Sequence, residues 1–223
     1  MTKTLLLSTT ALVLMATAAA ARLQVVLGRD SRIVTLASGA AFPHTAKSAP
    51  AGEYLYTNLA LKEKKGLYLA SPIGFTISGP SSILGQAIGI AEQFRLKVHA
   101  SATSLAAAVG YVSGDNSVTL TLYADNGSNA PGAVLASGTG TTTIAFGFCC
   151  DVTRVSIAPT RLHAKRPYWI GITTTGSNFE AAGPEIANQV NDYAYLASTS
   201  DGGESWSAGN LSFATQLPAI GID

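Results

Sequence analysis

The chain has 223 residues, 47% of them apolar and only 12% charged, against roughly 25% charged in an ordinary soluble domain. Low charge together with 22 glycines excludes a disordered polyelectrolyte and argues against a helical bundle, whose exposed faces want Glu and Lys. With Lys3 removed in an export signal, 13 basic residues face 13 acidic ones, a balance that argues against a nucleic-acid partner.

Residues 1–21 have the organisation of a Sec-type signal peptide. Lys3 is the positive n-region, Leu5 to Met15 the apolar stretch, and Ala16-Thr17-Ala18 or Ala18-Ala19-Ala20 the small-residue cleavage site. The apolar stretch is shorter than the roughly 20 residues needed to span a bilayer, and no later stretch is long and apolar enough. A mature chain without a transmembrane segment, secreted or at the cell surface, is the expectation. Residues 22–52 read as an N-terminal arm. Leu23 to Leu27 could be a short strand or part of a mobile arm, and Ala37 to Gly52, rich in Ala, Ser, Gly and Pro, has linker chemistry. The run Lys62-Glu63-Lys64-Lys65 reads as a solvated loop.

Residues 53–223 are expected to form one domain. Phe94, Leu96 and Val98 alternate with Gln93, Arg95 and Lys97. Val118, Leu120 and Leu122 alternate with Thr119, Thr121 and Tyr123, and Tyr168, Ile170 and Ile172 with Trp169, Gly171 and Thr173. Side chains of a strand alternate between faces, so each run should bury one face and leave the other nearer water. Turn signals separate the runs: Ser113 to Asn116, Asp125-Asn126-Gly127, Pro131-Gly132 and Asp201-Gly202-Gly203. Ala87 to Phe94 is the nearest rival for a helix, but the alternation continuing from it favours a strand. The pattern predicts an all-β fold, an antiparallel β-sandwich of jelly-roll-like kind. About 170 residues bury roughly 70% of their unfolded surface, so no metal or disulfide framework is needed merely to fold.

Val118 to Ala136, with the preceding Ala108 to Gly114, the Cys149-Cys150 pair, the Tyr168-Trp169 strand and the late Asp201 to Trp206, resembles the choice-of-anchor domains, most closely the R type. The resemblance covers most of residues 53–222. It implies a β-sandwich module of bacterial surface and secreted proteins and lends no biochemical activity. The chain departs from the family at Gly221-Ile222-Asp223, which carry no Pro-Glu-Pro motif, sorting motif or hydrophobic tail, so the family's anchoring is not expected to carry over.

Three groups of residues are candidates for a site. Adjacent Cys149 and Cys150 could close a vicinal disulfide in an oxidising compartment, strained because neighbouring Cα atoms sit about 3.8 Å apart. A rigid turn, a reducible switch and free thiols all remain open. Asp125, Asn126 and Asn129 offer oxygens to calcium, the one cofactor the sequence suggests, or equally to their own backbone in an Asx turn. Tyr193 and Tyr195 share a strand face, and with Trp206 they could form a sugar-stacking platform or simply pack the sandwich; Trp169 and Phe179 are further aromatic candidates. His44, His99 and His163 have no metal-ligand spacing, and no nucleophile elbow or phosphate-binding loop is present. The expected function is noncatalytic: an extracellular or cell-surface interaction module, with a glycan as candidate ligand. The alternatives are a structural subunit whose arm pairs with another copy of the chain, and a hydrolase whose site carries no motif.

Overall fold

The computed structural model describes residues 22–26, 33–37, 54–59, 68–69, 74–82, 84–146, 148, 151–174, 181–184, 186–187, 193–207, 211–213 and 217–223. Residues 1–21, read as a signal peptide, the stretch after Ala37 read as a linker, His44, the lysines at 62, 64 and 65, Cys149, Cys150 and Phe179 lie outside them. Among the described residues every regular element is a strand, and no helix is long and apolar enough to cross a membrane.

Two arm segments, β1 (Arg22–Val26) and β2 (Ile33–Ala37), pair antiparallel with Leu23 opposite Leu36. The stretch Leu23 to Leu27 therefore contributes a strand, and a second strand follows that the sequence reading did not place.

Fifteen further strands follow: β3 (Tyr56–Thr57), β4 (Tyr68–Leu69), β5 (Ile77–Ser78), β6 (Gly89–Arg95), β7 (Ala100–Ala107), β8 (Val109–Ser113), β9 (Ser117–Asp125), β10 (Pro131–Thr141), β11 (Thr153–Leu162), β12 (Pro167–Thr173), β13 (Ala181–Pro184), β14 (Ile186–Ala187), β15 (Tyr193–Thr199), β16 (Leu211–Phe213) and β17 (Ile220–Ile222). A large sheet has the order β10-β9-β12-β6-β15-β16, and a smaller one the order β11-β7-β17-β3. All pairings in both are antiparallel.

The two sheets face each other across one core. Ile90, Phe94, Val118, Leu120, Leu122, Tyr168, Ile170 and Ile172 come from the large sheet; Ala102, Leu105, Ala107, Val155, Ile157, Leu162, Ile220 and Ile222 come from the smaller. Each fully buried Leu or Ile contributes about 1.5–3 kcal/mol. The fold is thus the antiparallel β-sandwich that the alternation predicts.

The alternation falls short in two ways. Val98 lies beyond the end of β6 and is 67% exposed. The residues alternating with Tyr168, Ile170 and Ile172 were expected nearer water, yet Trp169, Gly171 and Thr173 are buried too, and so are Gln93 of β6 and Thr121 and Tyr123 of β9. The reason is a cover on the outer face of the large sheet, supplied by the segment that follows β15.

Among the described residues, one acidic side chain lies inside the sandwich. Glu92, between Ile90 and Phe94 on the inward face of β6, has no exposed surface. It accepts hydrogen bonds from the Tyr56 hydroxyl at 3.2 Å and from Asn58 Nδ2 at 3.1 and 3.2 Å. Asn58 Nδ2 also donates to Pro218 O at 2.7 Å, and its Oδ1 accepts from Ile220 N at 2.7 Å. This polar node ties β6 of one sheet to β3 and β17 of the other, which meets the requirement that a buried charge be hydrogen-bonded.

Candidate functional site

The outer face of the large sheet carries a cross-strand row of aromatic and polar side chains. Trp169 in β12 lies opposite Gln93 of β6 on one side and Tyr123 of β9 on the other. Tyr123 lies opposite Val134 of the edge strand β10, and Val134 is 61% exposed. On the other flank, Tyr195 precedes the Leu196–Glu92 pair of β15 and β6. Trp169, Tyr123, Ala91 and Ala197 form a small outer core, with Tyr195 and Trp206 packed against it and half-buried.

Trp206 reaches this face because Gly171 leaves room for it. A Cβ at Gly171 would lie 2.7 Å from the Tyr123 ring and 3.1 Å from the Trp206 ring. The Trp206 and Tyr123 rings meet edge-on, centroids 5.6 Å apart, a favoured aromatic geometry. Burial pushes the Tyr123 hydroxyl up from its ordinary range, while a hydrogen bond with Thr121 pulls against that shift. The Trp206 indole N–H is itself buried without a satisfying hydrogen bond.

The connection that delivers Trp206 is laced to the Asp201 carboxylate. Asp201 accepts from the Ser205 hydroxyl, from Ser205 N at 3.0 Å and from the Thr199 hydroxyl. The Thr199 hydroxyl in turn accepts from Gly203 N at 3.0 Å. These donors hold the Asp201 carboxyl well below the usual range, the Ser205 hydroxyl most of all. Gly202 and Gly203 take φ of 79° and 99°, which suits the turn read there from sequence. Ser207 N then returns to Ser198 O at 2.9 Å.

The suggested calcium ligands are engaged as turn residues. Asp125 Oδ1 accepts from Gly127 N at 2.7 Å, and its Oδ2 from Trp169 Nε1 at 2.8 Å and Gln93 Nε2 at 3.2 Å. Asn126 Oδ1 accepts from Ser128 N at 2.7 Å and Ala130 N at 3.3 Å. Asn129 sits at a φ of 57°. This is Asx-turn geometry, and a cation bound here would share oxygens that already have donors. Among the described residues no three His, Cys, Asp or Glu side chains gather to hold a metal ion. Of the three aromatic candidates, Tyr195 and Trp206 are brought together on one face; Tyr193 is in β15, but its side chain is outside what is described. Trp169, Gln93 and Asp125 complete the row. The signal that could have joined Gln93 to it was its position in an alternating run facing the Trp169 strand.

The sequence reading also missed a basic end. The connection from β6 to β7 (residues 96–99) and that from β11 to β12 (residues 163–166) both cross between the sheets, and they are bonded to each other. Lys165 N donates to Leu96 O at 2.8 Å, Arg95 Nη1 to Lys165 O at 2.9 Å, and Ala164 N to His99 Nδ1 at 3.3 Å. The His99 and His163 rings meet edge-on at 5.4 Å. Partial burial lowers the His163 pKa first, and the positive charges of Arg166, His99 and Arg161 lower it further.

Fold and site together define an all-β antiparallel sandwich whose large sheet carries, on its outer face, half-buried Tyr195 and Trp206 packed over buried Trp169 and Tyr123. No protein-family model matches the chain, and no curated protein matches it significantly.

Proposed function

We propose that this is an exported, noncatalytic β-sandwich module for extracellular or cell-surface interaction, and that its ligand is a glycan lying across the Tyr195–Trp206 face. The observation that carries the reading is the half-exposed pair of aromatics, Tyr195 and Trp206, standing on a rigid sheet. Sugars present apolar C–H faces, and aromatic planes held on a sheet match them. The backbone beneath is fixed by three paired strands, so little ordering is needed on binding. The signal-peptide pattern of residues 1–21 and the resemblance of residues 53–222 to choice-of-anchor domains support an extracytoplasmic setting.

The test is calorimetric titration of the mature chain with a panel of oligosaccharides and polysaccharides. Trp206→Ala should weaken binding by about tenfold, equivalent to roughly 1.4 kcal/mol, with the far-ultraviolet spectrum unchanged. A Trp206→Ala chain that binds a glycan as tightly as the parent would remove this face from the site.

A further inference from the structure

From Tyr54 onward the described lysines and arginines are Arg95, Lys97, Arg154, Arg161, Lys165 and Arg166. Arg154 forms an ion pair with Asp223. The other five all lie at one end of the sandwich, at or beside the two crossing connections, with His99 and His163 among them. Arg95, Lys97, His99, Arg161, Lys165 and Arg166 are exposed. In a chain with balanced total charge this is strong segregation, and it creates a local positive field. Asp125 stands at the same end of the large sheet, but its oxygens are already committed to Gly127, Trp169 and Gln93.

Two further observations mark this end. Lys165 has a φ of 62°, a left-handed conformation that is uncommon outside glycine and that concentrates at ligand-contacting positions. The His163 pKa is lowered by partial burial first, and then by the positive charges of Arg166, His99 and Arg161 around it. The basic end also runs into the aromatic row. Arg95 is two residues beyond Gln93 on the same face of β6, about 7 Å along the strand, and Pro167, opposite Arg95 in the register, is two residues before Trp169.

We infer that the aromatic row and the basic end form one continuous binding surface for an anionic polysaccharide, its sugar rings on Tyr195 and Trp206 and its acidic groups against Arg95, Lys97, Lys165 and Arg166. This rests on the glycan reading above and specifies the class of glycan. Carboxylate and sulfate groups pair well with arginine forks and lysine ammonium groups. Polysaccharides are favoured over nucleic acid because the signal-peptide pattern of residues 1–21 directs the chain away from the cytoplasm.

The experiment uses the mature chain with polygalacturonate, dextran sulfate, neutral dextran and single-stranded DNA as probes, at about 50 and about 500 mM salt. Polygalacturonate or dextran sulfate should bind at low salt, weaken at high salt, and bind at least about tenfold better than dextran. The double variant Lys97→Glu, Arg166→Glu should lose about tenfold or more for the anionic probes while its melting temperature stays near that of the parent. The milder Lys97→Gln, Arg166→Gln should fall between. Neutral dextran binding that depends on Trp206, with both charge variants silent, would overturn this inference and leave the glycan reading standing. Anionic binding abolished by the charge variants but untouched by Trp206→Ala would overturn the shared surface and the aromatic site together. DNA bound more tightly than either anionic polysaccharide, or no binding of any polyanion, would also overturn the inference.

Discussion

Asp201 touches nothing on the aromatic row, yet the placement of Trp206 depends on it. Its carboxylate gathers the Ser205 hydroxyl, Ser205 N and the Thr199 hydroxyl, and so closes the turn that precedes the indole. Asp201→Ala should loosen that turn and raise acrylamide quenching of the Trp206 fluorescence, while the buried Trp169, the chain's other tryptophan, serves as an internal reference. The pH dependence has a defined sign. The folded-state pKa is depressed, so the contribution is present above the unfolded-state value of about 3.9 and is lost as the solution is acidified below it. Quenching of the parent chain should therefore stay flat from neutral pH to about 4 and rise only below that; a rise already at about pH 6 would contradict the role given to Asp201.

Glu92 shows the converse case, a residue whose role is structural. Truncating it to alanine leaves Asn58 and Tyr56 without their shared acceptor inside the core. At about 1–3 kcal/mol for each buried group left unpaired, Glu92→Ala should lose about 2–4 kcal/mol in denaturant unfolding. Loss of under about 0.5 kcal/mol would mean that the node does not tie the sheets. A glutamate between Ile90 and Phe94 was visible in the sequence, but its partners lie 34 and 36 residues earlier, and no local pattern names them.

At the scale of elements, the period-two pattern read the inward face of β9, where Val118, Leu120 and Leu122 are all buried. It missed the burial of the outer face, where Thr121, Tyr123, Trp169 and Gly171 are buried as well. Hydrophobic alternation reports whether a strand has a dry face, and it cannot report a cover laid on the other face by a segment more than thirty residues later in the chain. Gly171, buried under Trp206, was the local hint, since glycine inside a strand often marks a close approach. The glycine turns at Gly127, Gly202 and Gly203 were legible because their positive φ is a requirement local chemistry announces. The basic end was not legible. His99 and Ala164 are 65 residues apart in the chain, and only the two crossings between sheets bring their neighbours together. The densest basic run in the sequence, at Lys62 to Lys65, lies outside the described residues.

At the scale of the molecule, the near-neutral chain divides its surface. One sheet is pinned on its outer side by the Arg154–Asp223 pair, with Arg154 also stacked 4.9 Å over the Tyr54 ring. The other sheet carries half-buried Tyr195 and Trp206 over the buried Trp169 and Tyr123, with cations at one end. The most direct measurement is chemical-shift mapping of the isotopically labelled chain during titration with an acidic oligosaccharide. The account predicts perturbations along one connected track: Tyr195, Gln93, Trp169, Tyr123 and Trp206, then Arg95 and residues 163–166. Perturbations confined to the outer side of the β11-β7-β17-β3 sheet, with the indole resonance of Trp206 unmoved, would contradict it.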